Sequence, residues 1–455
     1  MDYTPNYQKM NAWEIYSRGL SAEYLQCLEE GLDAAPYKAA FDGVISLPDG
    51  PEREAMADAL FRFLTTLPTR ADYPYKEPSD LEEILALRDG WTLPPHAPLT
   101  EEALRRKLRG AWYGRVAGCL LGKPVEGVRT EELHPILKAT GNFPMTRYIR
   151  RSELNEEICG SMRFPFLTRT SYPDCIECAP VDDDTNYTVL YMLLLERRGK
   201  DFTPEQAADF WLEMQPKSAY CTAERAAFVN FVRGIRPPAS ASYKNPYREW
   251  IGAQIRADYF GYIHPGDPEG AAAMAWRDAS ISHVKNGIYG EMFAAAMLAA
   301  AAVTTDRAEI VRAGLSQIPA TSRLYERVAG HLAAYETGGP AEKAFAAITA
   351  RWDEHRGHDW CHTISNAEIV TASLLWYGDE YGRAICRAVQ CGFDTDCNGA
   401  TVGSILGMAY GIDAVGEAWT SPLRGRLRTS LFGLTEISLD DAAERTIEQI
   451  RRMKQ

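Results

Sequence analysis

The sequence lacks a long apolar segment. Its longest apolar run, Met292 to Val303, is rich in alanine and too short, because a helix that spans a bilayer needs about 20 apolar residues. The first twenty residues carry Asp2, Lys9, Glu14 and Arg18 and have no apolar centre of the kind that a secretion signal contains. We therefore expect no membrane association and a cytoplasmic protein.

Positive charge is also in short supply. The 455 residues include 49 lysines and arginines against 62 aspartates and glutamates, which gives a net charge of −13. Nucleic acids and anionic membrane surfaces are bound through basic patches, so neither is an expected partner. An anionic substrate would need a positive group supplied locally, and a divalent metal ion is the obvious source.

No dense cysteine framework is present. The ten cysteines are scattered, and the one CxxC pair, Cys175 and Cys178, has no second pair nearby. An incidental loop spacing explains this pair better than a redox or zinc element. Without a secretion signal, we interpret all ten as reduced thiols.

Histidine is scarce as well, with eight in the chain. His355, His358 and His362 have the spacing of a zinc ligand set. However, Gly357 and Trp360 lie among them and argue against one continuous helix, and the HExxH pattern is absent. The sequence therefore gives little support to a zinc site.

Sustained alternation of apolar and polar residues is almost absent, so we predict few strands and an all-α fold. We divide the chain into a helical N-terminal extension, residues 1–100, and a compact multi-helix domain, residues 101–455. A proline-rich segment, Leu93 to Thr100, separates them, and Thr100 is predicted to cap the next helix. Further helices are predicted at Tyr247 to Arg256 and at Leu439 to Met453.

Glycines recur every four residues in two predicted helices. They are Gly110, Gly114, Gly118 and Gly122 in the first, and Gly399, Gly403, Gly407 and Gly411 in the second. Each glycine inside a helix costs about 1 kcal/mol relative to alanine. Repetition on one face predicts that these helices approach each other closely near the centre of the core. The segment that follows the first helix would then lie near the start of the second.

Two acidic segments stand at predicted helix starts. Asp182, Asp183 and Asp184 precede an apolar run, and Asp394 and Asp396 precede the second glycine-rich helix. Carboxylates at this spacing can converge on Mg²⁺, Ca²⁺ or Mn²⁺. Each segment alone is at least as typical of a solvated helix cap, because aspartate caps helices routinely. The pair of segments is more specific than either one.

Three motifs together resemble the ADP-ribosylglycohydrolase family. They are Gly110 to Glu126, Asp183 to Thr185, and Gly392 to Asp396, in the order in which the family has them. The resemblance covers roughly residues 101–420. It implies a compact all-α domain with two Mg²⁺ ions, or Mn²⁺, at the bottom of a cleft. It also implies hydrolysis of the N- or O-glycosidic bond of an ADP-ribosylated protein or small molecule.

The resemblance assigns roles to individual residues. Asp183 and Asp184 match the first pair of metal ligands and Asp394 and Asp396 the second, and Asp182 and Cys397 adjoin these pairs. Glu126 matches an acidic residue at the site. The predicted catalytic residues are Glu126, Asp183 and Asp396; the predicted metal ligands are Asp182, Asp183, Asp184, Asp394, Asp396 and Cys397; and the predicted substrate contacts are His283, Asn398 and Gly392.

Two positions depart from the family pattern. Asp182 stands where members usually have serine or threonine, and it adds negative charge that would strengthen cation binding. Cys397 stands where they have a hydroxyl, and a thiol is a poor ligand for Mg²⁺, so the second ion could be absent or Mn²⁺. Two other functions stay open: hydrolysis of another N-riboside or nucleoside, and ligand binding without catalysis. The irregular segment 141–181 is aromatic and could either cover the site or pack on the core.

Overall fold

The computed structural model describes residues 5–453, and within them the fold is all-α, as predicted, with one small β-hairpin. The α-helices are α1 (Leu20–Glu29), α2 (Lys38–Ile45), α3 (Pro51–Leu64), α4 (Leu81–Ala86), α5 (Glu101–Gly122), α6 (Thr130–Ala139), α7 (Glu156–Cys159), α8 (Asp183–Arg198), α9 (Pro204–Met214), α10 (Thr222–Val232), α11 (Ala239–Ser242), α12 (Asp258–Tyr262), α13 (Pro268–Ala279), α14 (Asn286–Ala301), α15 (Arg307–Leu315), α16 (Arg323–Glu336), α17 (Ala341–Arg351), α18 (Gly357–Trp360), α19 (Thr363–Tyr377), α20 (Tyr381–Gln390), α21 (Thr395–Tyr410), α22 (Ile412–Val415), α23 (Glu417–Thr420) and α24 (Leu439–Met453). The hairpin pairs β1 (Arg426–Leu431) with β2 (Leu434–Ser438) in antiparallel orientation.

Local sequence fixes several helix starts. The Thr100 hydroxyl accepts a hydrogen bond from the backbone N–H of Ala103, 3.2 Å away, and α5 begins at the next residue, as predicted. The Asp182 carboxylate accepts one from the N–H of Asp184 at 2.9 Å and so caps α8. Side chains at these positions satisfy N–H groups that the helix itself leaves unpaired. Helix α24 has the predicted bounds, Leu439–Met453.

The helix predicted at Tyr247 to Arg256 is wrong. This segment is a series of turns that ends in a short 3-10 helix, Gln254–Arg256. Its backbone bonds elsewhere, because the N–H of Ile251 donates to the carbonyl of Cys361 at 2.8 Å. Tertiary pairing to the start of α19 thus replaces the local helical pattern.

Helices α5 and α21 lie antiparallel, with their backbones in direct contact. The facing pairs are Gly110 with Gly407, Gly114 with Gly403, Gly118 with Gly399, and Gly122 with Thr395. A Cβ atom on any of these four α5 glycines would lie within 3.0 Å of the facing backbone, a distance that real Cβ atoms do not tolerate. The predicted close approach is therefore confirmed. It places the end of α5 beside the start of α21.

Helix α14, which contains most of the longest apolar run of the sequence, is the centre of the core. Every residue from Asn286 to Ala301 is buried. Helices α13 and α15 flank it along the chain, and α12, α19 and α21 also pack on it. No helix in the described part of the chain combines the length and apolar character needed to cross a membrane.

The N-terminal extension has a small apolar cluster of its own, built from α1 to α3 and the turn before them. It is joined to the rest of the chain by buried ion pairs. Arg248 contacts Glu23 at 2.9 Å and Glu30 at 2.6 Å, and Arg323 contacts Glu77 at 2.9 Å. The predicted boundary near residue 100 stays a prediction.

Candidate metal centre and active site

Three segments that are far apart in sequence bring their acidic side chains together. Glu126 follows the 3-10 turn after α5, Asp183 begins α8, and Asp394 and Asp396 stand at the start of α21. All four line one cavity of about 300 Å³, together with Cys397. The contact of α5 with α21 explains this meeting, since it brings the segment after one helix to the first turn of the other.

The ligand atoms of these residues lie close enough to share a cation. Oxygen atoms of Asp184 and Asp396 and the sulfur of Cys397 all lie within 4.8 Å of one another, and so do oxygens of Asp182, Asp183 and Asp184. The two acidic helix starts therefore form one cluster. A pair of solvated helix caps would not converge in this way.

Burial makes negative charge costly here. It raises the pKa of Asp183, Asp184 and Asp396 well above the ordinary range, and the charges of neighbouring carboxylates raise each further. Burial and then the charge of Glu126 raise the pKa of Asp394 to about 7. Carboxylates that share a site out of water need a compensating cation if they are all to ionise.

The protein supplies only part of that compensation. Lys123 Nζ lies 2.6 Å from Asp182 Oδ2. Arg115 donates to the backbone carbonyl of Asp184 at 2.6 Å, but its closest carboxylate, at 2.7 Å, is Asp258, outside the cluster. The Asp184 Oδ2 atom is buried and has no hydrogen-bond partner.

An oxygen-rich cluster with an unpartnered buried oxygen fits hard divalent ions such as Mg²⁺. Six carboxylates, those of Glu126, Asp182, Asp183, Asp184, Asp394 and Asp396, contribute to the cluster or to the cavity beside it. The donor chemistry therefore agrees with the metal that the resemblance implies.

Comparison with known proteins identifies the family of this chain. The sequence model of the ADP-ribosylglycohydrolase family matches residues 100–451. The chain belongs to the ADP-ribosylglycohydrolase family. Membership supports a glycohydrolase-type function and hence an enzyme. All residues of the acidic cluster lie within the matched range, and so do all residues that line the cavity except Trp13.

A solved structure described as an ADP-ribosylglycohydrolase-related protein complex is similar over 78% of this chain and 100% of its own, at 17% sequence identity and a TM-score of 0.48. Among curated proteins none matches the sequence of this glycohydrolase.

The two residues that depart from the family pattern have distinct surroundings in this glycohydrolase. Asp182 has both oxygens engaged, one by the N–H of Asp184 and one by Lys123. It can therefore position α8 and Lys123 without binding metal. Burial raises the pKa of the Cys397 thiol far above its usual value, and the charges of Asp184 and Asp394 raise it further.

The predicted substrate contacts lie outside the acidic cavity. Asn398 is fully buried and donates through Nδ2 to Asn366 Oδ1 at 2.8 Å, so it supports the turn before α21. Gly392 has a φ of +73° in that turn, a conformation that favours glycine. His283 is also fully buried and lines a different cavity, near Trp276. Their contacts with substrate stay predictions, and the positions of these three residues do not support them.

The aromatic segment 141–181 packs mainly on the core. Phe166 and Tyr172 are buried, and the Tyr148 hydroxyl donates to the backbone carbonyls of Ala117 and Trp419. One cation of this segment does approach the site. Arg169 donates to the backbone carbonyl of Glu126 at 2.8 Å and so fixes the loop that carries this carboxylate.

Sequence reasoning missed the aromatic wall of the cavity. Trp13, Trp250 and Trp360 line the same cavity as the carboxylates. Trp250 and Trp360 lie in or next to irregular segments, and Trp13 belongs to the extension. No periodic pattern marks any of them, so only the tertiary structure could bring them together.

Two of the three closely spaced histidines, His358 and His362, contact the extension through Glu29. The Nε2 atoms of His358 and His362 lie 3.2 Å and 3.0 Å from Glu29 Oε2. Their Nδ1 atoms accept hydrogen bonds, from the Trp250 indole and from a backbone N–H of α19 respectively. In a neutral ring the proton is therefore on Nε2, whereas a zinc ligand there would need a free lone pair. His355 lies apart, 3.5 Å from Glu131.

Proposed function

We propose that this chain is a metal-dependent glycohydrolase that cleaves the N- or O-glycosidic bond between ribose and the modified group of an ADP-ribosylated protein or small molecule. The observation that carries the proposal is the meeting of Glu126, Asp183, Asp394 and Asp396 at one cavity. Family membership supports the glycosidic reaction, and the oxygen donors support the metal.

Asp183, Asp184, Asp394 and Asp396 would hold the metal, as two Mg²⁺ ions or as Mn²⁺. When bound, the ions supply Lewis acidity that orients ribose hydroxyls and lowers the pKa of a water molecule. Asp182 would act mainly through Lys123 and the α8 cap. Cys397 lies near Asp184 and Asp396, so a softer ion could use its sulfur.

Glu126 is the candidate for holding the attacking water. It lines the cavity on a loop that Arg169 fixes, and its carboxylate comes from a segment separate from the two aspartate helix starts. In this position a carboxylate can accept a proton from water, a contribution of about 10²–10⁴-fold in rate. The cleavage passes through a cation-like sugar, which the negative charge of Asp183 and Asp396 would stabilise.

The test compares Asp394→Asn and Asp396→Asn with Asp201→Asn, which changes an exposed aspartate in the turn that follows the C-terminal end of α8. Calorimetric titration with MgCl₂ and MnCl₂ measures metal uptake, and release of ADP-ribose from a mono-ADP-ribosylated peptide measures turnover. We expect both cluster variants to lose metal uptake and turnover and the control to keep both. Full turnover in either cluster variant would exclude the scheme.

A second variant separates water activation from metal binding. Glu126→Gln should take up metal like the wild type and lose at least about 10²-fold in turnover. Loss of metal uptake in this variant would instead make Glu126 a ligand. Wild-type protein that takes up no metal would favour ligand binding without catalysis.

A further inference from the structure

The cavity is lined by two distinct kinds of side chain. Five are carboxylates, those of Glu126, Asp183, Glu224, Asp394 and Asp396, and three are tryptophans, Trp13, Trp250 and Trp360, which together are called the aromatic side. Among the described residues, 5–453, no lysine or arginine lines it. A phosphate group is usually bound by such cations, and the tryptophan side chains themselves carry no positive charge. This side therefore suits a planar group that is uncharged or cationic.

The aromatic side is held in place before any ligand arrives. The Trp250 indole N–H donates to His358 at 3.1 Å, and the backbone carbonyl of Trp360 accepts from Asn366 at 3.0 Å. The Trp13 ring packs against a buried cluster that includes Trp250. Fixed aromatic rings bind planar ligands at little entropic cost, because few side-chain rotamers are lost.

Trp13 is the unexpected member of this wall. It lies before residue 100, where the family match begins. Neighbouring Glu14 anchors it, with one carboxylate oxygen 2.7 Å from buried Arg225 and the other 2.6 Å from Lys217. The Arg225 guanidinium lies 5.9 Å from the centre of the Trp13 ring. A side chain of the extension thus forms part of the cavity wall.

We propose that the aromatic side binds the leaving group of a small-molecule substrate, a planar nitrogen heterocycle of nucleobase size, and that Trp13 determines this specificity. The proposal rests on the proposed function for one point, which is that the glycosidic bond between ribose and the heterocycle is the bond that is cleaved. Hydrolysis breaks the bond between the anomeric carbon and the ring nitrogen, and its electron pair stays with the nitrogen. The oxygen of water bonds to carbon, and the released proton goes to that nitrogen, or to solvent if the ring was cationic.

Free heterocycles test the proposal without turnover. Adenine, uracil and nicotinamide are titrated into the full chain with MgCl₂ present, by calorimetry and by quenching of tryptophan fluorescence. We expect at least one to bind, Trp13→Leu to weaken its affinity about tenfold, and Trp13→Phe to keep it within about threefold, because stacking needs a ring. Trp91→Ala, which changes a tryptophan of the extension outside the cavity, should leave it unchanged.

The proposal would be overturned if no heterocycle binds the wild type, or if Trp13→Leu binds one as well as the wild type does. Displacement of the heterocycle by inorganic phosphate would do so too, since it would put a phosphate subsite in the aromatic side. The thermal midpoint of each variant shows whether its fold is kept. Leucine is used at position 13 because it fills part of the space that alanine would leave empty. Failure of metal-dependent hydrolysis would not affect these titrations, so the two proposals fail separately.

Discussion

Gly118 of α5 and Gly399 of α21 face each other with no side chain between them. A Cβ atom on either glycine would lie within 3.0 Å of the carbonyl oxygen of the other. The first turn of α21 carries Asp396, and the loop after α5 carries Glu126. The separation of these backbones therefore sets the distance between the two carboxylates.

Gly118→Ala should destabilise the fold, although alanine is the better helix former by about 1 kcal/mol. Overpacking against the Gly399 carbonyl should cost about 3 kcal/mol, so the free energy of unfolding falls. The control is Gly330→Ala in α16, where a Cβ atom would meet nothing within 4 Å, and this variant should be slightly more stable than wild type. Urea unfolding followed by tryptophan fluorescence measures both. Equal stability of the two variants would mean that the helices can move apart freely.

Lys123→Met should make stability depend more strongly on metal. Lys123 is the cation closest to a carboxylate of the acidic cluster, 2.6 Å from Asp182, and its loss leaves that buried carboxylate without its partner. We expect about 3 kcal/mol of destabilisation in EDTA and a larger gain in thermal midpoint on adding MgCl₂ than the wild type shows. Lys343→Met, an exposed position on α17, is the matched control. An equal response to MgCl₂ in all three proteins would contradict the prediction.

Glu30→Gln should destabilise the protein only where Glu30 is ionised. Burial alone would raise the pKa of Glu30, but the charges of Arg248 and Lys285 lower it to about 2. Because the folded pKa lies below the unfolded value of about 4.3, the stabilisation is fully present above that pH and is lost as pH falls toward 2.

The difference in free energy of unfolding between wild type and Glu30→Gln should therefore be about 3 kcal/mol at pH 5 to 7 and clearly smaller at pH 3.5. Urea titrations at pH 7, 5 and 3.5 measure it. Glu342→Gln, at an exposed position on α17, should show a small difference at every pH. A difference that does not change with pH would assign the effect of Glu30 to packing.

Cys397→Ser should shift metal preference toward Mg²⁺. The Cys397 sulfur lies within 4.8 Å of ligand oxygens of Asp184 and Asp396, and a hydroxyl is a harder donor than a thiol. We expect the ratio of Mg²⁺ to Mn²⁺ affinity to rise severalfold, measured by competitive calorimetric titration. Cys175→Ser, at an exposed cysteine, should keep the wild-type ratio. An unchanged ratio in Cys397→Ser would show that the sulfur does not face the metal.

The acidic cluster could be predicted from sequence because its signals are local. Glycines at four-residue spacing identify α5 and α21, and aspartates identify the starts of α8 and α21. Each of the two acidic helix starts can therefore be recognised from its own stretch of sequence. The close contact of the α5 and α21 glycines then brings the segment after α5 to the start of α21. The link from Glu126 to this cluster follows from the same contact.

The rest of the cavity could not be predicted, because it depends on contacts between segments without periodicity. Trp250 lies in the segment wrongly predicted as helix, whose backbone bonds to the start of α19 instead. Trp13 reaches the cavity through ion pairs of Glu14 with residues about 200 positions away. Only the family resemblance points to His283, and the structure places this residue in another cavity.

The ion pairs that join the extension to the rest of the chain bear on how this protein can be shortened. Trimming it to the family match would remove Glu23, Glu30 and Glu77 and leave the guanidinium groups of Arg248 and Arg323 without these counterions. Apolar surface now covered by α1 would open to water beside them. Such a fragment should aggregate on expression, so studies of activity need the whole chain.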